Sequence, residues 1–449
     1  MSTTGTVRVG AADEAAERRR EQRGWYFYDW ACSVYSTSVL TVFLGPYLTS
    51  VAESAADADG YVHPLGIPVR AGSFFAYSVS LSVIVAVVVM PLVGSAADRT
   101  GRKKPLLAAA AYTGAAATTG MFFLDGDRYL LGGALLIVAN AAQSVGMMLY
   151  NSYLPQIAPS EERDAVSSRG WAFGYAAGSL VLVANLVLYS AHDSFGLSET
   201  AAVRICLASA GLWWGAFTLV PLRRLRDRRS TASPATAPGL RQLVATVRDM
   251  RRHPLTLAFL LAYLVYNDGI QTVISQASVY GSEELRLGQS TLIGAVLLVQ
   301  VLAVAGALAM GRLARTHGAK RTILGSLVAW TVTLAAGYFL PAGAPVWFFV
   351  LASGIGLVLG GSQALSRSLF SHLVPPGKEA EYFSAYEMSD RGMSWLGPLL
   401  FGVTYQLTGS YRSAIISLVA FFVIGFALLA RVPVRRAIEA AGNPVPEKI

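Results

Sequence analysis

Charge is scarce in this chain. Of its 449 residues only 14% are Asp, Glu, Lys or Arg, against about 25% in an ordinary soluble protein. A water-exposed globule is therefore excluded as the main body. Cysteine is scarcer still. Cys32 and Cys206 stand alone, each within an apolar run, which excludes a disulfide framework or a thiolate metal site. The histidines, His63, His192, His253, His317 and His372, fall in loops or at the ends of apolar runs. Neither an H-E-x-x-H pair nor a Walker loop is present, so zinc hydrolysis and nucleotide-driven work have no residues to rest on. Ser362 follows Gly360 and Gly361, but its apolar surroundings lack the strand and sharp turn of a nucleophile elbow. No enzyme activity, cofactor or metal is expected. Met1–Gln22 is polar and lacks the apolar core of a cleavable signal, so the first apolar run is expected to direct insertion.

What the chain has instead is apolar length. Hydrophobic residues make up 54% of it, in runs of roughly 20 residues, each long enough to cross about 30 Å of hydrocarbon. Twelve such runs can be marked, giving an all-α membrane protein with lipid as its solvent. The net charge of +9 does not point to nucleic acid, because the basic residues sit in short connections between runs. They gather on alternate connections and both tails, while the opposite loops hold only Arg70, Arg128, Arg204, Arg286 and Arg412. By the positive-inside rule both termini are cytoplasmic, in a multi-pass protein of the cell membrane.

The connections set the expected domains: a disordered cytoplasmic tail (1–24), a six-helix half (25–221), a basic linker (222–253), a second six-helix half (254–432) and a cytoplasmic tail (433–449). In the linker, Leu240, Leu243, Val244 and Val247 fall on one helical face, which suits a short helix lying on the membrane surface.

A repeat relates the two halves. Gly94–Lys104 reads GSAADRTGRKK and joins two apolar runs; Gly311–Arg321 reads GRLARTHGAKR and does the same. Gly94 aligns with Gly311, Ala97 with Ala314, Gly101 with Gly318 and Lys103 with Lys320. Self-similarity at half the chain length is a mark of transporters built from two repeats.

The 94–104 stretch resembles the signature loop of the major facilitator superfamily, G-x-x-x-D-R-x-G-R-K/R, between its second and third spans. A finer resemblance covers most of 24–432. YDWACSVYST (28–37), YNSYLPQI (150–157), VSSRGWAFGY (166–175), YNDGIQTVIS (266–275), GGSQALSRS (360–368) and SDRGMSWLGP (389–398) are similar to the branch containing the autophagy-related vacuolar amino-acid effluxers of fungi and their bacterial relatives. The resemblance implies twelve helices in two pseudo-symmetric halves and a transporter, an exporter of amino acids or similar solutes. Two departures count against the drug antiporters of the superfamily. The fourth run, LLIVANAAQSVGMML, carries no arginine, and the fifth carries Gly170, Gly174 and Gly178 but no Gly-Pro pair. That glycine series suits close helix packing.

Polar residues inside the runs are the candidate site. Asp268 lies near the middle of an apolar run, where a charge costs at least about 2.5–3.5 kcal/mol. Tyr263, Tyr266, Asn267, Ile270 and Gln271 share one helical stripe, and Asp268, Thr272, Ser275 and Gln276 a neighbouring one. This arc is expected to face a water-filled cavity, with Asp268 binding a cation or a substrate ammonium, or titrating; the alternative is an aspartate that caps or pins helices. Asn140 and Gln143 in the fourth run, Gln300 in the eighth and Gln363 in the tenth are further lining candidates. Each is also readable as an interhelical hydrogen bond worth about 0.6 kcal/mol.

A second set is expected to control conformation. Asp98, with Arg99, Gly101 and Arg102, forms the loop, and the resemblance implies that Asp98 meets the N-terminus of the eleventh helix. An aspartate so placed is worth ~0.3–1 kcal/mol when exposed. Arg169, Arg367, Glu387, Asp390 and Arg391 are read as a cytoplasmic charge network, as gate or as static structure. Asp29 is read as an interfacial acid, with Trp25 and Trp30 as belt anchors.

The function expected is secondary transport of a small solute by alternating access, with protons as the candidate coupling ion and the protein acting as a monomer. Drug efflux by the same fold is the alternative within the class, and a non-transporting membrane sensor or scaffold the alternative outside it.

Overall fold

The computed structural model describes residues 3–228, 248–392 and 396–449; for 3–12, 289, 290, 391 and 392 it describes the backbone alone. The surface-helix residues Leu240, Leu243, Val244 and Val247 lie outside the described residues.

The described residues are mostly helical, with one short hairpin among them, Tyr61–Val62 paired antiparallel with Val69–Arg70. Among the described residues, ten helical stretches are long and apolar enough to cross a bilayer. The ninth run expected from sequence is more polar: Ala319–Tyr338 is a helix of 20 residues that opens on Lys320 and Arg321. Of the eleventh, Glu379–Gly392 and Leu396–Thr408 are described, both helical.

Two compact units result. The first comprises Met1–Ala158 and Ala177–Ser230, the second Pro159–Ala176 and Thr231–Ile449. The segment 159–176, which the sequence places in the first half, thus groups with the second unit. The cause is polar. Arg163 donates to Ser371 O at 2.9 Å, and Ser167 Oγ donates to Ala364 O at 2.7 Å.

A second correction concerns the tail. Helix begins at Thr3 and runs unbroken to Val34. Glu21 and Gln22 are buried, and Gln22 Nε2 donates to Ile157 O at 3.0 Å. The residues just before 25 are therefore part of the packed first unit, not a disordered tail. The helix passes through a wider π-helical stretch, Tyr35–Phe43, before Leu44–Ser54.

Both copies of the repeated loop turn on a glycine of positive φ, Gly101 (φ 65°) and Gly318 (φ 88°), which glycine takes at no steric cost. Their N–H groups close the preceding helices on Ala97 O (2.9 Å) and Ala314 O (2.7 Å). Gly101 (ψ 10°) is the usual left-handed end of a helix, whereas Gly318 (ψ 152°) leaves its helix extended; the shared need for positive φ explains why the two glycines align in the repeat.

Candidate functional site

In the second unit the helix Pro254–Val279 starts on a proline, which needs no N–H in the first turn. Its polar residues are buried at mid-length: Tyr263, Tyr266, Asn267 and Asp268 are each at most 3% exposed. Gly269 and Gly425 let the neighbouring helix Val419–Arg431 approach closely. A Cβ on Gly425 would stand 2.6 Å from Tyr266 Cβ, and one on Gly269 would stand 2.8 Å from Phe421 Cβ.

The polar stripe is directed at three different elements. Tyr266 Oη lies 2.5 Å from Ser366 Oγ on the helix Pro345–His372. Tyr263 Oη donates to Asp390 Oδ1 at 3.0 Å, and Asn267 Nδ2 donates to the same oxygen at 2.6 Å. The Tyr263 ring stacks on Tyr386 with centroids 4.4 Å apart. Gln271, one turn further along, is half-buried.

Asp268 points elsewhere. Its Oδ2 accepts the backbone N–H of Gly397 at 2.8 Å, tying Pro254–Val279 to the helix Leu396–Thr408. Thr272 Oγ1 donates to Asp268 O, and Ser275 Oγ to Thr272 O, so those hydroxyls bond to their own helix.

Arg367, 1% exposed, donates from Nε to Ser167 Oγ (2.9 Å) and from Nη2 to Ser167 O (2.8 Å). Its guanidinium also lies 5.4 Å from the Trp171 ring. Asp390 accepts from Tyr263 and Asn267. Glu387 is buried, Arg169 is exposed, and the side chain of Arg391 lies outside the described residues. Gln363 accepts from Tyr175 Oη at 2.6 Å, while Gln300 is half-buried on Gln289–His317.

Sequence reasoning missed Ser167, Trp171, Arg163 and His372. His372 is buried, with Arg163 Nη1 3.3 Å from its Nδ1, and Asn443 Nδ2 donates to its carbonyl at 2.9 Å. The segment VSSRGWAFGY drew notice for Arg169 rather than for the serine two residues before it.

In the first unit Asp98 and Lys103 are both buried, with Lys103 Nζ 3.3 Å from Asp98 Oδ1. Lys103 also reaches Ser152 O at 3.5 Å. It is thus a packed residue as well as a basic loop charge; Arg99 and Arg102 are the exposed ones. Asn140 Nδ2 donates to Ser82 Oγ at 2.6 Å, and Gln143 donates to Ser36 Oγ, so both amides tie helices together. Asp29 accepts from Ser33 (3.0 Å) and Tyr150 (3.1 Å). Trp25 is fully buried, stacked 4.2 Å from Tyr150 with its Nε1 on Tyr150 O. A belt anchor would keep its ring at the interface, so that reading of Trp25 is corrected: an aromatic stack and an indole hydrogen bond hold it inside.

A family model described as vacuole effluxer Atg22 like matches residues 17–442. The chain is 29% identical over 419 residues to an uncharacterized MFS-type transporter, YxiO, of Bacillus subtilis, covering 92% of this chain and 95% of that one. It is 25% identical to autophagy-related protein 22 of Pyricularia oryzae, covering 90% and 74%. Among solved structures it resembles the transporter FucP in its outward conformation, with TM-score 0.68, 13% identity, and coverage of 92% of this chain and 98% of that one. The proton:xylose symporter XylE is similar at TM-score 0.69 and 14% identity, covering 93% and 95%. At these identities the structures speak for the fold alone, an all-α major facilitator fold in a multi-pass membrane protein.

Proposed function

The chain belongs to the vacuole effluxer Atg22-like branch of the major facilitator superfamily, and from that premise we propose that it exports amino acids or closely similar solutes by alternating access. One observation carries the reading: four polar side chains, Tyr263, Tyr266, Asn267 and Asp268, are buried at mid-length of an otherwise apolar spanning helix. Such residues are expensive in a membrane and persist where they serve a substrate or ion path.

In this reading Tyr263, Tyr266, Asn267 and Gln271 line the solute path, with Asn140, Gln143, Gln300 and Gln363 as further lining or helix-tying residues. Asp268 anchors the helix Leu396–Thr408 through Gly397 and is the candidate group for proton coupling. Asp98, Arg99, Gly101 and Arg102 belong to the moving loop. Arg367, Arg169, Glu387 and Arg391 belong to the closing end of the second half. The protein acts as a monomer in the cell membrane with both termini inside.

The test is flux in proteoliposomes loaded with each amino acid in turn, with and without an imposed pH gradient. Release of at least one amino acid above protein-free vesicles supports export. Release of none, with the reconstituted protein folded, overturns it. Acceleration by the pH gradient assigns protons as the coupling ion.

A further inference from the structure

One end of the first unit carries more arginine than its acids can neutralise. The helices Thr3–Val34 and Glu199–Arg224 pack side by side there. A Cβ on Gly24 would stand 2.6 Å from Arg224 Cβ, so the Arg224 stem lies against the backbone of the first helix. Arg20 and Arg23 flank Gly24 on that helix, and Arg223 adjoins Arg224 on the other. Among the described residues none of these four guanidinium groups has an ion pair or a hydrogen bond. The acids nearby are already used. Glu17 pairs with Arg226 and Glu21 with Arg228. Asp227 accepts the backbone N–H of Lys104 at 2.7 Å and the hydroxyl of Tyr153 at 3.2 Å. Asp13 and Glu14 stand at least six residues before Arg20, about 9 Å along the helix.

Further along both helices the same seam is apolar. Trp213, Phe217 and Arg224 fall on one stripe (i, i+4, i+11), and Arg20, Phe27 and Trp30 on the stripe that meets it. Phe217 stacks on Phe27 with centroids 6.4 Å apart, and Trp213 lies 4.4 Å from Phe217 and 5.7 Å from Trp30. Trp213 Nε1 donates to Trp30 O at 3.1 Å. Beside the half-buried Trp213 and Phe217, Leu212 and Leu219 are 63% and 44% exposed. From Leu212 to Arg223 the helix rises about 16 Å, close to the ~15 Å of hydrocarbon in one leaflet.

We propose that this seam binds one anionic phospholipid, its phosphate held by Arg23 and Arg224 with Arg20 and Arg223 beside them, and its acyl chains laid along the face of Leu212 and Leu219. An arginine fork presents paired N–H donors that match phosphate oxygens. Basic clusters at the ends of spanning helices, and basic pockets between them, suit anionic headgroups. Chemistry separates the other occupants. A soluble phosphate would use the arginines and leave the apolar face unused. A zwitterionic lipid brings an ammonium up to four like charges. A second copy of the chain seated face to face would set the same arginines against themselves. Arginine serving only to orient insertion would be replaceable by lysine, since that rule counts charge; a phosphate fork would not. The site lies wholly within the first unit and does not depend on what the protein transports.

The experiment titrates the purified full-length protein in detergent with phosphatidylglycerol, phosphatidylcholine, glycerol phosphate and inorganic phosphate. Native mass spectrometry reads bound lipid, and thermal unfolding reads stabilisation. One phosphatidylglycerol should be retained per chain, at least about fivefold more tightly than phosphatidylcholine. The two soluble phosphates should not stabilise at the same concentrations. Arg23→Gln with Arg224→Gln should lose the preference for phosphatidylglycerol. Arg23→Lys with Arg224→Lys, which keeps the charge that directs insertion, should lose at least about threefold of it. Arg251→Gln with Arg252→Gln, at two exposed arginines of the second unit, should keep it. If the glutamine pair at Arg23 and Arg224 fails to fold, the lysine pair carries the comparison.

Several outcomes overturn the site. They are equal retention of phosphatidylglycerol and phosphatidylcholine, equal stabilisation by glycerol phosphate or inorganic phosphate, and a wild-type preference in both pairs of variants at Arg23 and Arg224. An equal loss on changing Arg251 and Arg252 also overturns it, because binding would then follow the total charge rather than this seam.

Discussion

Asp268 Oδ2 accepts the backbone N–H of Gly397 at 2.8 Å, and both residues are buried. The bond joins the side chain of one helix, Pro254–Val279, to the backbone of another, Leu396–Thr408. A hydrogen bond to a charged group contributes about 1.5–3 kcal/mol. Asp268→Asn keeps an acceptor and should lower Tm slightly; Asp268→Leu should lower it clearly more. Thermal unfolding in detergent checks the order. Equal Tm values for wild type and Asp268→Leu would show that the bond does not stabilise the fold.

Gly397 has a second constraint. A Cβ at this position would overlap Thr272 Oγ1 and stand 3.2 Å from Asp268 O. Overpacking of this kind costs about 1–3 kcal/mol. Gly397→Ala should be destabilised by that amount, and Thr272→Ala should restore much of it in the double variant. A double-mutant cycle on unfolding free energies reads the coupling; additive effects would contradict the overlap.

Why the sequence displayed some of this and not the rest follows from the kind of signal each feature leaves. Apolar runs of bilayer length are visible because lipid forces every spanning backbone into such a run. The two loop turns are visible because Gly101 and Gly318 both need positive φ. Asp268 is visible as a costly acid, but its partner is not. Gly397 stands 129 residues further along the chain, and a backbone N–H leaves no mark on the identity of its own residue. Arg367 and Ser167 are 200 residues apart in sequence, and a contact at that separation leaves no periodic trace. Trp25 near the end of a run is equally consistent with an interfacial belt or a buried stack; only packing separates the two.

In the first unit, Asp98 and Lys103 are 5% and 4% exposed. Removing one member of a buried pair strands the other charge, typically at a cost of about 3–5 kcal/mol. Lys103→Met should therefore destabilise strongly, and Asp98→Asn together with Lys103→Met should be less harmful than either change predicts alone. For transport, Asp98→Asn should lower the maximal rate more than substrate affinity, read as a split between kcat and KM in the flux assay. Wild-type rates in that variant would remove Asp98 from the moving parts.

Asp249 lies outside the spanning helices and carries a pH dependence. Burial raises its pKa, but hydrogen bonds from Lys378 Nζ (2.7 Å) and Tyr382 Oη (3.0 Å) outweigh burial, and the net shift is downward. A carboxyl whose folded value is lowered adds stability above its unfolded value, about 3.9. That stability disappears as pH falls through the folded value. Unfolding measured between about pH 6 and pH 3 should show this loss in wild type. Lys378→Met should flatten the acid limb while leaving a lower plateau near neutral pH. An unchanged acid limb in Lys378→Met would show that the ammonium does not set the shift.

The contact of Ser167 with Arg367 is the most demanding of the buried ones, because a fully covered guanidinium depends on it. Ser167 Oγ accepts from Arg367 Nε and donates to Ala364 O, while Ser167 O accepts from Nη2. Ser167→Ala removes the first two bonds and leaves the third, so Nε loses an acceptor in a buried setting, at about 1–3 kcal/mol. Arg367→Met removes the charge itself and fills the space with a flexible apolar chain, which can be less harmful than a half-satisfied cation. Tm should therefore fall more for Ser167→Ala than its small change in volume suggests, and the double variant should recover part of the loss. If Ser167→Ala unfolds at the wild-type temperature, the guanidinium is satisfied without the serine, and the segment 159–176 owes its place in the second unit to Arg163 and apolar packing instead.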